Sequence, residues 1–145
     1  MTEKDLFKYK YAVEEERRRR NQLIEQETRL TSMRQALSSE PRGGGGSDTT
    51  GRVAADLDRL DRCRAKLKEA IEEVALAELI LDAARRCLDE KERSVFDSLY
   101  FGYINKSGGR TFCTIFETSK RLNYSQSAIY GLRRKILTKI SSISA

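Results

Sequence analysis

The sequence predicts an all-α protein: a long helical hairpin or coiled coil, then a C-terminal helix-turn-helix domain at 88–145. Three observations lead there. Residues 2–37 contain neither glycine nor proline and are rich in Glu, Arg, Gln and Leu, all good helix formers. Residues 52–88 place apolar side chains at alternating steps of four and three for about five heptads. Residues 88–140 then break into shorter apolar-periodic stretches separated by turn residues. Composition agrees: of 145 residues 34% are charged and only 39% hydrophobic, an apolar supply too thin for a large round core.

The N-terminal helix is expected over 1–37. Leu23, Leu30 and Leu37 recur every seven residues, and Leu6 and Val13 show the same step, but Glu16, Arg20, Glu27 and Arg34 interrupt the stripe. Within it, EEERRRR (Glu14 to Arg20) sets Glu14, Glu15 and Glu16 four residues ahead of Arg18, Arg19 and Arg20, an order that supports a helix. The acids compensate the bases locally, so this block reads as a solvated helix face rather than a phosphate patch.

Ser38 to Gly51, SSEPRGGGGSDTTG, is expected to be a flexible loop over 38–51. Proline halts the preceding helix and four glycines raise the entropic cost of regular structure. The run lacks the GxxxxGK[ST] pattern of a nucleotide-binding loop, and no strand precedes it.

The long helix of 52–87 carries the seam Val53, Leu57, Leu60, Arg64, Leu67, Ile71, Val74, Glu78, Leu81, Arg85 and Leu88, of which eight of eleven are apolar. Such a stripe needs a partner. The first helix folding back, or a second copy of the chain, would serve, and a homo-oligomer through these coiled-coil helices is expected.

In 88–145 the first helix spans Leu88 to Phe101, with Val95, Phe96 and Leu99 on its apolar face. Gly102 to Arg110 is expected as a loop, Thr111 to Leu122 as a second helix, and Gln126 to about Ile140 as the last, with Ser125 at its N-cap. Ile115 to Leu132 fits a helix-turn-helix position by position. Ser119 lies where the helices would cross, Asn123 sits where the turn needs a positive φ, and Thr118, Leu122, Ile129 and Leu132 face inward.

Charge concentrates here. The chain carries +6 overall, and Asn105 to Ala145 alone holds eight Lys or Arg against the single acid Glu117. A local excess of this kind suits a polyanion, because each cation placed on a phosphate releases condensed counterions. Histidine is absent, which excludes a Ser-His-Asp triad, a Cys-His dyad and a His-ligated metal. Cys63, Cys87 and Cys113 are 24 and 26 residues apart and read as free thiols, Cys63 and Cys87 as packing residues. No cofactor, metal or catalytic constellation is expected. No apolar run reaches a membrane span of roughly 18 residues, and Met1 to Lys10 is too charged for a signal peptide. The expected location is the cytoplasm.

LDEKERSVFDSLYF followed by TIFETSKRLNYSQSAIYGLRRKILTKI resembles region 4 of bacterial sigma factors, the domain that reads the promoter −35 element. The resemblance covers Leu88 to about Ile140. The Gly102 to Thr111 loop is longer than that domain's connection, and nothing resembles the sigma region that melts the −10 element. The layout as a whole resembles the small phage-encoded transcriptional regulators of the RinA/ArpU type. That resemblance implies control of phage genes in a bacterial host, with double-stranded DNA as partner and RNA polymerase as a further one.

On the last helix, Ile129, Leu132, Ile136 and Ile140 form the inner stripe. Gln126, Ser127, Tyr130 and Arg134, with Gly131 among them, fall on the opposite side and are the expected base readers. Gln126 suits adenine and Arg134 guanine. Lys120, Arg121, Ser125, Arg133, Lys135 and Lys139 are the expected phosphate contacts. Two other readings stand beside this one: a DNA-packaging protein like the phage small terminase subunits, and an interaction module that binds polymerase and ignores DNA. An enzyme is the least supported, because acids and bases lie along helix faces without converging.

Overall fold

The computed structural model describes residues 1–39 and 46–143, with side chains described at 1–35 and 51–143. The chain is mostly helical: α1 (Glu3–Ser39), α2 (Gly46–Arg86), α3 (Glu90–Phe96), α4 (Ile115–Leu122) and α5 (Gln126–Ser141). Between α3 and α4 come a wider π-helical turn (Asp97–Phe101) and the antiparallel strands β1 (Tyr103–Ile104) and β2 (Arg110–Thr111). Among the described residues no helix is long and apolar enough to cross a membrane.

Residues 40–45 of the expected loop lie outside the described residues. On either side of them the backbone is helical, α1 reaching Ser39 and α2 starting at Gly46. Once a helix is nucleated, extending it fixes one residue per hydrogen bond, which offsets part of the glycine penalty.

The chain divides into two compact units, Met1–Val13 with Glu73–Ala145, and Glu14–Glu72. In Glu14–Glu72 the two long helices are neighbours. The Gln26 side-chain amide donates to the Asp56 carbonyl at 3.3 Å, and Leu30, Leu60, Leu67 and Ala70 are buried. Arg18 and Arg19 both pair with Glu15 at 2.7 Å, and Arg20 pairs with Glu16 at 2.6 Å. The expected Glu14–Arg18 pair is replaced because Arg18, three residues from Glu15, makes two bonds to its carboxylate. That contact holds the Glu15 carboxyl below its ordinary value.

The buried stripe of α2 shares only half of the expected seam. Leu60, Leu67, Leu81 and Leu88 are buried as expected, with Val53 and Val74 half-buried. The alternate positions fall one residue earlier. Asp56, Ala70, Ala77 and Ala84 are buried and Cys63 is half-buried, while Leu57 and Ile71 are 40% and 43% exposed. Small side chains occupy the inner face because they leave room for larger ones opposite. Ala77 and Ala84 share one core cluster with Leu6 and Tyr9 of α1. Cys87, expected to pack, is exposed; all three thiols are free.

The other unit has the larger core. Val95, Phe96, Ile129, Ile136 and Ile140 are fully buried beside Leu6, Leu81 and Ala84. The first thirteen residues belong to this unit, not to a separate N-terminal piece. The Met1 ammonium donates to the Ile143 carbonyl at 2.9 Å, the Phe7 ring meets Tyr100 edge-on at 5.4 Å, and Tyr9 stacks on Phe101 at 5.3 Å.

The expected loop at Gly102 to Arg110 is instead a small hairpin with Tyr103 opposite Thr111 and Ile104 opposite Arg110. Asn105 organises its tip. Its side-chain oxygen accepts from the backbone N–H groups of Ser107 and Gly109, and its amide donates to Thr111 Oγ1 at 3.0 Å. Gly102 makes the entry: its φ is +76°, and a Cβ there would stand 2.6 Å from the Thr111 carbonyl oxygen. The second helix therefore starts at Ile115 rather than Thr111, which pairs in β2.

Candidate nucleic-acid interface

α4 and α5 are set by their ends. Thr114 accepts from the Glu117 N–H while Glu117 reaches back to the Thr114 N–H, a reciprocal cap on α4. α4 stops at Asn123, whose φ of 56° and ψ of 37° put it in the left-handed region that asparagine tolerates better than most residues. The Asn123 and Tyr124 N–H groups both reach the Ser119 carbonyl, and the Ser119 hydroxyl donates to the Tyr124 carbonyl at 2.6 Å. Ser125 then caps α5, its hydroxyl accepting from the Ala128 N–H at 3.2 Å. Underneath, Thr118 is fully buried with its hydroxyl 3.0 Å from that of Ser98. An aliphatic residue at 118 would leave Ser98 without that partner, which accounts for the polar choice.

The packing fixes which face of α5 is turned outward. Ile129, Ile136 and Ile140 are fully buried and Leu132 half-buried. Gln126, Ser127, Tyr130, Gly131 and Arg134 are all exposed. None of the side chains of Gln126, Ser127, Tyr130 and Arg134 hydrogen-bonds or ion-pairs with a described residue. A Cβ at Gly131 would meet nothing within 4 Å, so no contact inside the described chain demands glycine there.

The cations expected on phosphates fall into three groups. Lys135 is exposed and unengaged. Lys120 and Arg121 are exposed but lie over aromatic rings, Lys120 Nζ 4.4 Å from the centroid of Phe116 and Arg121 Cζ 4.1 Å from that of Tyr103. Arg133 and Lys139 are held inside their own unit. Arg133 Nε and Nη2 donate to Glu3 Oε1 at 2.8 and 2.6 Å, and Tyr100 Oη donates to the same oxygen at 2.7 Å. Burial, then the Glu3 contact, pushes the Tyr100 phenol well above its ordinary value, so it remains a donor. Lys139 Nζ donates to Glu92 Oε1 at 2.7 Å, and that bond raises the lysine. Glu92 is itself buried. Ser125 spends its hydroxyl as an acceptor in the cap, leaving its proton free to donate.

Sequence reasoning missed both the Glu3–Arg133–Tyr100 cluster and the two ring-stacked cations. The first joins residues 130 apart, for which no local pattern exists. The second had a signal in the i,i+4 spacing of Phe116 and Lys120. Comparison of the chain with protein-family models, with curated proteins and with solved structures finds no match.

Proposed function

We propose that the protein is a sequence-specific DNA-binding transcriptional regulator of phage genes, with α4 and α5 acting as a helix-turn-helix of the sigma region 4 kind. The observation that carries the reading is the outward face of α5: Gln126, Ser127, Tyr130 and Arg134 are exposed and uncommitted on a helix whose other face is locked by three buried isoleucines, and Lys135 of α5 and Lys120 and Arg121 of α4 are exposed as well. In this reading α5 enters the major groove with its N-terminal half. Gln126 and Arg134 read base edges, and Lys120, Arg121, Ser125 and Lys135 position the duplex through its phosphates. Arg133 and Lys139 serve the fold first. One head covers few base pairs, so the reading includes pairing of two chains through the long helices. Contact with host RNA polymerase extends the same resemblance, and the protein acts in the bacterial cytoplasm.

Genome-wide mapping of bound DNA in the host supplies the operator. On that operator, Gln126→Ala and Arg134→Ala each weaken binding by on the order of 1–3 kcal/mol with helicity retained, measured by gel-shift titration and circular dichroism. Binding falls steeply with salt, and Lys135→Ala lowers the salt slope. Arg133→Ala lowers thermal stability because it leaves Glu3 and Tyr100 without their cation. Unchanged affinity in both base-reading variants, or a flat salt response, overturns the reading.

A further inference from the structure

α2 leaves a second apolar stripe uncovered by the described chain. Leu76 and Leu79 are 64% and 66% exposed, Ile80 is 38% exposed, and Ala83 and Cys87 are exposed with them. At 100° per residue these five fall within an arc of about 100°, centred roughly 120° round the helix from buried Ala77, Leu81, Ala84 and Leu88. Three large aliphatic side chains on one face of a chain with so little apolar material are more than scattered surface residues.

The charges at the two ends of this stripe choose its occupant. It follows the acids Glu72 and Glu73 and ends at Arg85 and Arg86. Arg85 is taken by Asp97 at 2.8 Å, while Arg86 has no partner among the described residues. A second copy laid parallel would set acid on acid and arginine on arginine. Laid antiparallel, it sets Glu72 near Arg86 of the other copy, because both fall on the same flank of the stripe at 100° per residue, a self-complementary arrangement that a two-fold axis requires.

We propose that this face of α2 pairs with the same face of a second copy in antiparallel orientation, with the two-fold axis passing between Leu79 and Ile80. Leu79 then meets Ile80 of the other copy and Leu76 meets Ala83. The two heads leave α2 on opposite sides of the axis, their first residues about 25 Å apart at 1.5 Å per residue. The inference rests on the pairing in the proposed function but not on DNA recognition, and it is tested without DNA.

The Leu79→Cys variant, otherwise the full chain, is treated with a mild oxidant and run on a non-reducing gel. The expected result is a covalent dimer, because position 79 lies beside the axis. The unsubstituted chain gives none, because its Cys87 lies about 22 Å from the other copy's at 1.5 Å per residue. Cross-linking of the unsubstituted chain through Cys87 would mean parallel pairing and overturns the proposal, as does absence of cross-linking in both. In sedimentation, Leu79→Glu loses the dimer with its helical circular dichroism unchanged. Arg86→Glu weakens it, and combining Arg86→Glu with Glu72→Arg restores it; a Leu79→Glu chain that stays dimeric overturns the proposal. A chain that binds its operator but fails to cross-link removes this face and leaves the regulator reading. A chain that cross-links but ignores DNA does the reverse.

Discussion

α5 and α2 bury their apolar residues by opposite rules. On α5 the large side chains go inward: Ile129, Ile136 and Ile140 are fully buried, and the outward face is polar apart from Tyr130. On α2 the inward positions alternate leucine with alanine, and several large side chains, Ile71, Leu76 and Leu79 among them, face outward. The difference follows from what lies opposite. α5 brings its isoleucines to the cluster it shares with Val95 and Phe96 of α3 and with Leu6, Leu81 and Ala84, and they supply much of the volume there. α2 enters the same cluster with the small Ala77 and Ala84, beside Leu6 and Tyr9, whose bulk offsets them. A helix that packs bulk against smallness can keep a second apolar face for another partner; a helix that spends all its bulk inward cannot.

The strongest way to break this contrast is to remove volume from α5. Ile136→Ala deletes a fully buried side chain between α3 and α5 and should destabilise the protein by about 2–5 kcal/mol in urea unfolding. A loss under about 1 kcal/mol would mean that α5 is not the keystone of its core. On α2 the informative pair is adjacent. Ala70 is 5% exposed and Ile71 43%. Ala70→Leu should cost about 1–3 kcal/mol by overpacking. Ile71→Ala, which deletes the larger side chain, should cost about 1 kcal/mol or less, because nearly half of that side chain is already in water. The reverse ranking would restore the seam that runs through Leu57 and Ile71.

The same contrast governs what the sequence revealed. α5 was legible from its residues: the isoleucine spacing gave its inner face, Ser125 gave its start, and Asn123 marked the left-handed turn before it. α2 was legible in half of its stripe. Leu60, Leu67, Leu81 and Leu88 belong to both phases, and the two phases differ in the size of the residues between them. Size favours Leu57 and Ile71 over Asp56 and Ala70, whereas packing against a bulky neighbour favours the small residue. The hairpin was hidden because two-residue strands are too short to show alternation. Its only cues were the β-favouring pairs Tyr103-Ile104 and Arg110-Thr111 around Asn105 and the glycines. The anchoring of α1's first turns on α5 through Glu3 and Arg133 depends on long-range packing that no local pattern encodes. For the candidate site, the exposed face was legible as periodicity, and the commitment of Arg133 and Lys139 to carboxylates was not.

The smallest expected effect separates fold from function at one position of α5. Gly131 lies inside a helix, where glycine is about 1 kcal/mol worse than alanine. A Cβ at that position would meet nothing within 4 Å. Gly131→Ala should therefore raise stability by about 0.5–1 kcal/mol in urea unfolding, through the loss of conformational freedom in the unfolded chain. If the outward face of α5 lies in a groove, the added methyl group stands between the helix backbone and the bases, and operator affinity falls while stability rises. A rise in stability with affinity unchanged would place position 131 away from the duplex, turning the contacting arc of α5 toward Gln126 and Tyr130. A variant less stable than the parent would mean that glycine answers a constraint within the chain, and that the outer face of α5 is not free of its own fold.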